Sequence, residues 1–234
     1  MGTNQDLVPY EYDLAAPTGH QCLIKVRAGG LCFSDIAMID NLAGVTNYPL
    51  VPGHEVVGEV VDVGPDVTSV SVGDRVGVGW FAGSCLHCVY CARGDDNVCD
   101  EAIGLIVMGP GGFSSHVLVD SRWAFQLPEG ISDVNAGPLM CAGATVYAGL
   151  KNGGMGSGQN IGVVGIGGLG HLAIRFASAF GNRVTAFALN DAIAQTALEL
   201  GADEAIVVTA DGGRRHTGAH PKVGHHPRRR GSAP

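Results

Sequence analysis

Charge is scarce in this chain of 234 residues: Asp, Glu, Lys and Arg together make up 15%, too few for a polypeptide that stays unfolded. No apolar run approaches the roughly 20 residues that a membrane-spanning helix needs. Met1 to Asp6 shows neither the basic start nor the apolar stretch of an export signal. These absences predict a soluble cytoplasmic protein with no membrane partner. Basic charge is also short where a nucleic acid would require it. The net charge is −8 and all 22 acidic residues lie within 1–211. Such a body argues against a nucleic-acid binder, whose affinity comes from a basic face that neutralises phosphates. Acid is absent in turn from 212–234, which hold six of the 14 basic residues.

What is present suits a packed fold. Hydrophobic residues reach 46% and glycine 37 positions, enough core for one large or two small domains with many close backbone turns. Seven cysteines are distributed unevenly. Cys85, Cys88 and Cys91 recur every third residue and Cys99 follows a short polar insert, a spacing that lets one loop wrap four sulfurs around one ion. A closed set of four thiolates suits a structural zinc and leaves no position for chemistry. A disulfide knot is the competing reading, and it needs an oxidising compartment.

Along the chain, Cys22, Ile24, Val26 and Ala28 alternate with Lys25 and Arg27 as on a half-buried strand, which places Cys22 in a core. Glu55–Val63 and Val67–Val72, with Val76–Val78 and the run from Gly111 to Val119, read as short strands between Gly, Pro and Asp, the grammar of a small antiparallel barrel. Residues 131–150 read as helical or irregular. From Asn160 the pattern changes. Ile161–Val164 is a short buried strand, then Gly165-Ile166-Gly167-Gly168-Leu169-Gly170 leads into a helix presenting Leu172, Phe176, Ala179 and Phe180 on one side and ending at Gly181. A strand at 183–189, a helix at 191–200 and a strand at 205–208 complete a parallel βαβαβ run. Glycines at this spacing between strand and helix form a dinucleotide-binding fingerprint: Gly165 for the tight turn, Gly167 for approach of the diphosphate, Gly170 for helix-to-strand packing. The free N–H groups at the helix start would face the phosphates.

Cys32, the pair His54-Glu55 and Cys141 are far apart, and spacing alone does not join them; a lone histidine after Pro-Gly is as a rule a turn residue. Taken in order, however, Gly30-Leu-Cys32-Phe-Ser-Asp35, Tyr48-Pro-Leu-Val-Pro-Gly-His54-Glu, Val76-Gly-Val-Gly-Trp80, the Cys85–Cys99 loop, Gly137-Pro-Leu-Met-Cys-Ala-Gly143 and Gly165–Gly170 make a specific set. Over about residues 5–209 the chain resembles the zinc-dependent medium-chain alcohol dehydrogenases, and within them the branch of NADP-linked aldehyde reductases that includes cinnamyl alcohol dehydrogenase. The resemblance implies an α/β architecture, with a GroES-like β-barrel catalytic domain over 1–150 and a partial Rossmann domain over 151–211. It implies a catalytic zinc on Cys32, His54 and Cys141, with Glu55 behind it, and a structural zinc on the four-cysteine loop. It assigns Ser34 as the hydroxyl that passes the alcohol proton outward, Asp35 as the partner that orients His54, and Thr145 as a neighbour of the nicotinamide. Trp80 and Phe81 would line the substrate pocket, with core residues as the plainer alternative. The activity implied is interconversion of primary alcohols and aldehydes with NADP(H).

Three departures from that pattern matter. Where the family often has a histidine five residues after Cys32, this chain has Ala37, so the proton is expected to leave Ser34 directly or through water. The position that reads the ribose at the end of the second strand is Ala188, followed by Leu189 and Asn190; the missing carboxylate disfavours NAD without excluding it. Beyond about Thr209 the α/β pattern stops. Residues 212–234, with His225-His226 and Arg228–Arg230, have no periodicity and are expected to be unstructured. Their histidines suit metal and their arginines anions, but a frameshifted or truncated coding sequence is the plain reading. The family's homo-oligomers use a sheet edge that this sequence does not supply. Two other readings stand beside the enzyme: a catalytically incompetent zinc-binding remnant, and the same fold acting on a polyol with NAD.

Overall fold

Alternation of small apolar and polar residues builds the first sheet. β1 (Gln21–Gly30) buries Cys22 and Ile24 completely, and Lys25 and Arg27 point outward. A short helix, α1 (Phe33–Ile39), follows at once. β2 (Glu55–Val63), β3 (Arg75–Val78), β4 (Phe81–Gly83), β5 (Ile103–Gly104), β6 (His116–Asp120) and β7 (Phe125–Gln126) complete the strands of this part. β6, β1, β2, β3 and β7 form one sheet in that order, with every pairing antiparallel, while β4 pairs with β5. Val56, Val60, Val76, Val78, Val117 and Val119 fill the core between them with Cys22 and Ile24. β-branched residues fit a pleated buried surface, so the valine-rich text settles as sheet. The computed structural model describes residues 6–107, 109–209 and 213–219.

A helical turn, α2 (Asp133–Ala136), is capped by Ser132, whose hydroxyl accepts from Asn135 N, and a 3₁₀ turn over Gly137–Met140 continues it to Cys141. The chain then divides into two compact units, Met1–Cys141 and Ala142–Pro234; the sequence reading places its boundary at 150.

The second unit contains α3 (Ala142–Asn152), β8 (Asn160–Val164), α4 (Gly168–Ala179), β9 (Arg183–Ala188), α5 (Asp191–Glu199), β10 (Glu204–Val208) and β11 (Arg214–Ala219). Its sheet runs β11-β10-β9-β8, with β8, β9 and β10 parallel and β11 antiparallel on β10. The α/β class and the half-Rossmann order match the expectation.

Several local expectations are corrected. Val67–Val72 is an irregular connection rather than a strand: it closes between β2 and β3 through bonds such as Gly73 N to Val60 O at 2.8 Å, and anchors itself by burying Val70. Gly111–Ser115 curls before β6 begins at His116. β8 is an edge strand, not a buried one, and Val164 is 83% exposed. On α4 the buried stripe is Gly170, Ile174 and Ala177 rather than Leu172, Phe176, Ala179 and Phe180, because small residues let the helix lie close on the sheet. Finally, 214–219 is a strand where no structure was expected: the free edge of β10 offers unpaired N–H and C=O groups, and the following segment satisfies them. His225, His226 and Arg228–Arg230 lie outside the described residues.

Candidate metal and dinucleotide sites

Asp35 organises the first constellation. It is the third residue of α1, whose N-cap is Cys32: Cys32 Sγ accepts from Ser34 N and Asp35 Oδ2 accepts from Cys32 N at 3.0 Å, a capping box with an acid in the reciprocal position. The other oxygen, Oδ1, accepts from Gly53 N at 3.0 Å and lies 2.8 Å from His54 Nδ1, with both side chains fully buried. One carboxylate therefore fixes a sulfur and an imidazole that are 22 residues apart in sequence. The Pro52–His54 stretch is held on its other side by Gly111 N, Gly112 N and Phe113 N, which bond to Val51, Gly53 and Pro52 carbonyls. Gly53 has φ +103°, and a Cβ there would lie 2.5 Å from Phe113 N, so glycine is required.

Cys141 enters from the 3₁₀ turn, and the ligand atoms of Cys32, His54, Glu55 and Cys141 all lie within 4.8 Å of one another. His54 Nε2 and Glu55 Oε2 are buried without a hydrogen-bond partner, a costly arrangement unless something binds them. Burial opposes charge on His54, but Asp35 and Cys141 overcome it and pull the ring up to about 10. Burial likewise would raise the Asp35 carboxyl, but His54 and the N–H groups of Cys32 and Gly53 outweigh it and hold it below its usual range. Burial pushes Glu55 up. Two sulfurs with one imidazole are a donor set for zinc that leaves one position open. Ser34 Oγ stands 3.6 Å from Cys32 Sγ, half-buried. Trp80 packs edge-on against His54 with ring centroids 5.1 Å apart; Phe81 lies in β4, half-buried beside it in sequence.

The second constellation is the loop. None of the seven cysteines is in a disulfide. Sγ separations are 3.5 Å for Cys99–Cys85, 3.6 Å for Cys88–Cys91 and 3.8 Å for Cys85–Cys91. Four sulfurs at about 2.3 Å from a tetrahedral zinc would be about 3.8 Å apart, so the loop already has the shape of that cage. Backbone N–H groups of Cys88, Cys91 and Glu101 point at Cys85, Cys88 and Cys99 sulfurs, which suits thiolates.

In the second unit the glycine-rich turn borders a cavity of about 470 Å³ lined by Gly165–Gly170, Leu189 and Ile193. Gly165 has φ +81°, and a Cβ on Gly170 would sit 1.9 Å from Gly165 O. Beside Gly167 and Gly168, by contrast, there is nothing within 4 Å, and α4 begins there with its free N–H groups. This open cradle fits a diphosphate. Ile193 belongs to it by structure alone; its place in the first turn of α5 carries no sequence mark. Ala188 is buried, and Asn190 is committed as the α5 cap, accepting from Ile193 N at 2.9 Å. Asp191, the first carboxylate after β9, is held by Arg215 at 2.7 Å. Thr145 is exposed on α3.

Comparison with known proteins finds similar chains and folds. Residues 18–129 match the alcohol dehydrogenase GroES-like domain. Aldehyde reductase AdhA of Synechocystis sp. is 44% identical over 202 residues, which is 86% of this chain and 60% of that protein. A probable cinnamyl alcohol dehydrogenase of Nicotiana tabacum is 43% identical over 210 residues, 86% of this chain and 59% of its own. Among solved structures, a cinnamyl alcohol dehydrogenase of Sorghum bicolor superposes with a TM-score of 0.81 at 40% identity, covering 87% of this chain and 60% of that one. A CAD from Helicobacter pylori complexed with NADP(H) gives 0.79 at 31% identity, covering 86% and 60%. The chain thus spans about 60% of the length of these relatives. In its GroES-like unit and the partial Rossmann unit that follows, it is similar to these dehydrogenases and reductases.

Proposed function

We propose that this chain derives from a zinc-dependent oxidoreductase that interconverts primary alcohols and aldehydes with NADP(H). The observation that carries the reading is the convergence of Cys32, His54 and Cys141, with His54 Nε2 buried and unpartnered. Those three residues would hold a zinc, which as a Lewis acid would favour an alkoxide or polarise a carbonyl. The nicotinamide would supply the hydride chemistry. The chain's own part is positional. Asp35 fixes the ring orientation of His54 and leaves Nε2 for the metal. Ser34 Oγ takes the proton released by an alcohol, or returns it to an aldehyde, and no imidazole stands at Ala37 to extend the path. Glu55 stays behind the ligands as a buried carboxyl. Trp80 closes the wall against His54, and Phe81 and Thr145 are assigned to substrate and nicotinamide. The four-cysteine loop would hold a structural zinc. Gly165–Gly170 would receive the cofactor diphosphate, and the lack of a free carboxylate after β9 favours NADP over NAD.

The test is NADPH binding by fluorescence titration, alongside zinc content and reduction of an aromatic aldehyde. Saturable NADPH binding, two zinc ions per chain and aldehyde-dependent NADPH oxidation are expected. Two zinc ions without NADPH binding would instead mark a metal-binding remnant, a reading favoured by the exposure of Val164 and Leu189 beside the cradle (83% and 78%).

A further inference from the structure

Asp35 anchors Cys32 and His54, but the third sulfur arrives on another segment, and its seat lies eight residues upstream. Asp133 opens α2 and is gripped by two arginines from different strands. Arg75 Nε of β3 donates to Oδ1 at 2.6 Å, and Arg27 Nε of β1 lies 3.0 Å from Oδ2. Arg75 also donates to the Pro128 and Ile131 carbonyls, so one guanidinium ties three points of the approach to α2. Side-chain exposure is 23% for Asp133 and 25% for Arg75, a half-buried pair rather than a solvated one. Downstream, the segment lies flat on β1, β2 and β3. A Cβ on Gly77 would come within 2.2 Å of Met140 Sδ, and one on Gly79 within 2.5 Å of Met140 O. A Cβ on Gly137 would lie 3.2 Å from Gly30 N, a tight but less severe approach. The glycines permit close approach but offer no directional bond; the direction comes from the two arginines.

We propose that Asp133, clamped by Arg27 and Arg75, is the positioning residue that seats 133–141 and so sets Cys141 opposite Cys32 and His54. The proposal rests on the metal reading of those three ligands. An asparagine at 133 keeps the shape but turns an N–H₂ toward one of the two guanidinium donors, which releases one side of the clamp.

The test is cobalt(II) titration of the full 234-residue chain, in which thiolate charge-transfer bands and chelator competition resolve the four-sulfur centre from the two-sulfur, one-nitrogen centre. Wild type is expected to bind two ions, and Cys141→Ala one. Asp133→Asn should weaken the second centre about tenfold, the scale of lost support around a ligand, while the four-sulfur centre and its affinity stay as in wild type. Glu59→Gln, which removes the other acid beside Arg27 (3.5 Å), should leave both centres unchanged. Equal affinity in Asp133→Asn and wild type overturns the proposal, as does parallel weakening of both centres, which marks plain destabilisation. If Asp133→Asn does not fold, Arg27→Gln decides: it keeps the Arg75 contact, and a few-fold loss confined to the second centre supports the clamp, whereas no loss overturns it. A wild type that binds a single ion defeats the metal reading itself, separately from the clamp.

Discussion

At the scale of single residues, Asp35 carries more structure than any other side chain in the site. Its two oxygens take Cys32 N, Gly53 N and His54 Nδ1. An amide at that position has one acceptor oxygen for three donors. Asp35→Asn is therefore expected to lower zinc affinity of the Cys32–His54–Cys141 centre by about 10–100-fold, read by competition with a chromogenic chelator. Cys22 behaves in the opposite way. Burial pushes its thiol up to about 11, with the Asp120 carboxylate adding to it. The folded thiol holds its proton past the point, near 9.0, where an unfolded one releases it. Its contribution to stability is thus complete below about 9 and is lost as pH rises toward about 11. Native protein should leave Cys22 unalkylated at neutral pH in peptide mapping, and Cys22→Val should flatten the alkaline limb of the stability curve. Alkylation of Cys22 in the folded state would contradict its burial. That Cys22 belonged to a core was legible from alternation. Its neighbour in type, Cys32, was placed as a ligand by resemblance, because spacing cannot join residues that meet through a shared carboxylate.

At the scale of elements, the turn from β8 into α4 separates folding from binding. Gly170 packs against Gly165 O with no room for a methyl group, whereas Gly167 faces open space. Gly170→Ala is expected to lower the melting temperature of the chain and weaken NADPH binding together. Gly167→Ala should leave melting nearly unchanged and still weaken NADPH binding, since its methyl group would stand where the diphosphate approaches. Equal melting losses in both variants would remove the distinction. The existence of β8, α4, β9, α5 and β10 was legible because periodicity and glycine punctuation agree there. The buried stripe of α4 was not. Sequence reading weights large apolar residues, while close contact with a sheet selects Gly170, Ile174 and Ala177. Val67–Val72 failed for a related reason: valine content suggested a strand, but ladder partners are taken by β1 and β3, which already flank β2.

At the scale of the whole molecule, two compact units carry different dependences. The Met1–Cys141 unit contains every group of side chains that could hold a metal ion, and among the described residues of the other unit there is none. The loop from Ser84 to Glu101 has short 3₁₀ turns and little buried apolar surface, with Arg93 exposed between Cys91 and Cys99. Chelation is expected to open this loop to trypsin at Arg93 while the 142–209 region keeps its resistance, as followed by mass spectrometry. A cleavage rate at Arg93 unaffected by chelator would argue against a metal in the loop. No helix among the described residues is long and apolar enough to cross a membrane.

By itself the sequence determined what depends on local spacing: the four-cysteine cage, the strand–glycine–helix turn, the class of each unit and the apolar face of β1. These follow from neighbours a few residues apart, whose geometry the backbone imposes. Only the tertiary structure decided what depends on distant segments meeting. It joined Cys32, His54 and Cys141, left His54 Nε2 unpartnered and locked Asp133 between Arg27 and Arg75. Each is a contact whose partner is set by sheet order and register, and no window of sequence contains both sides of it.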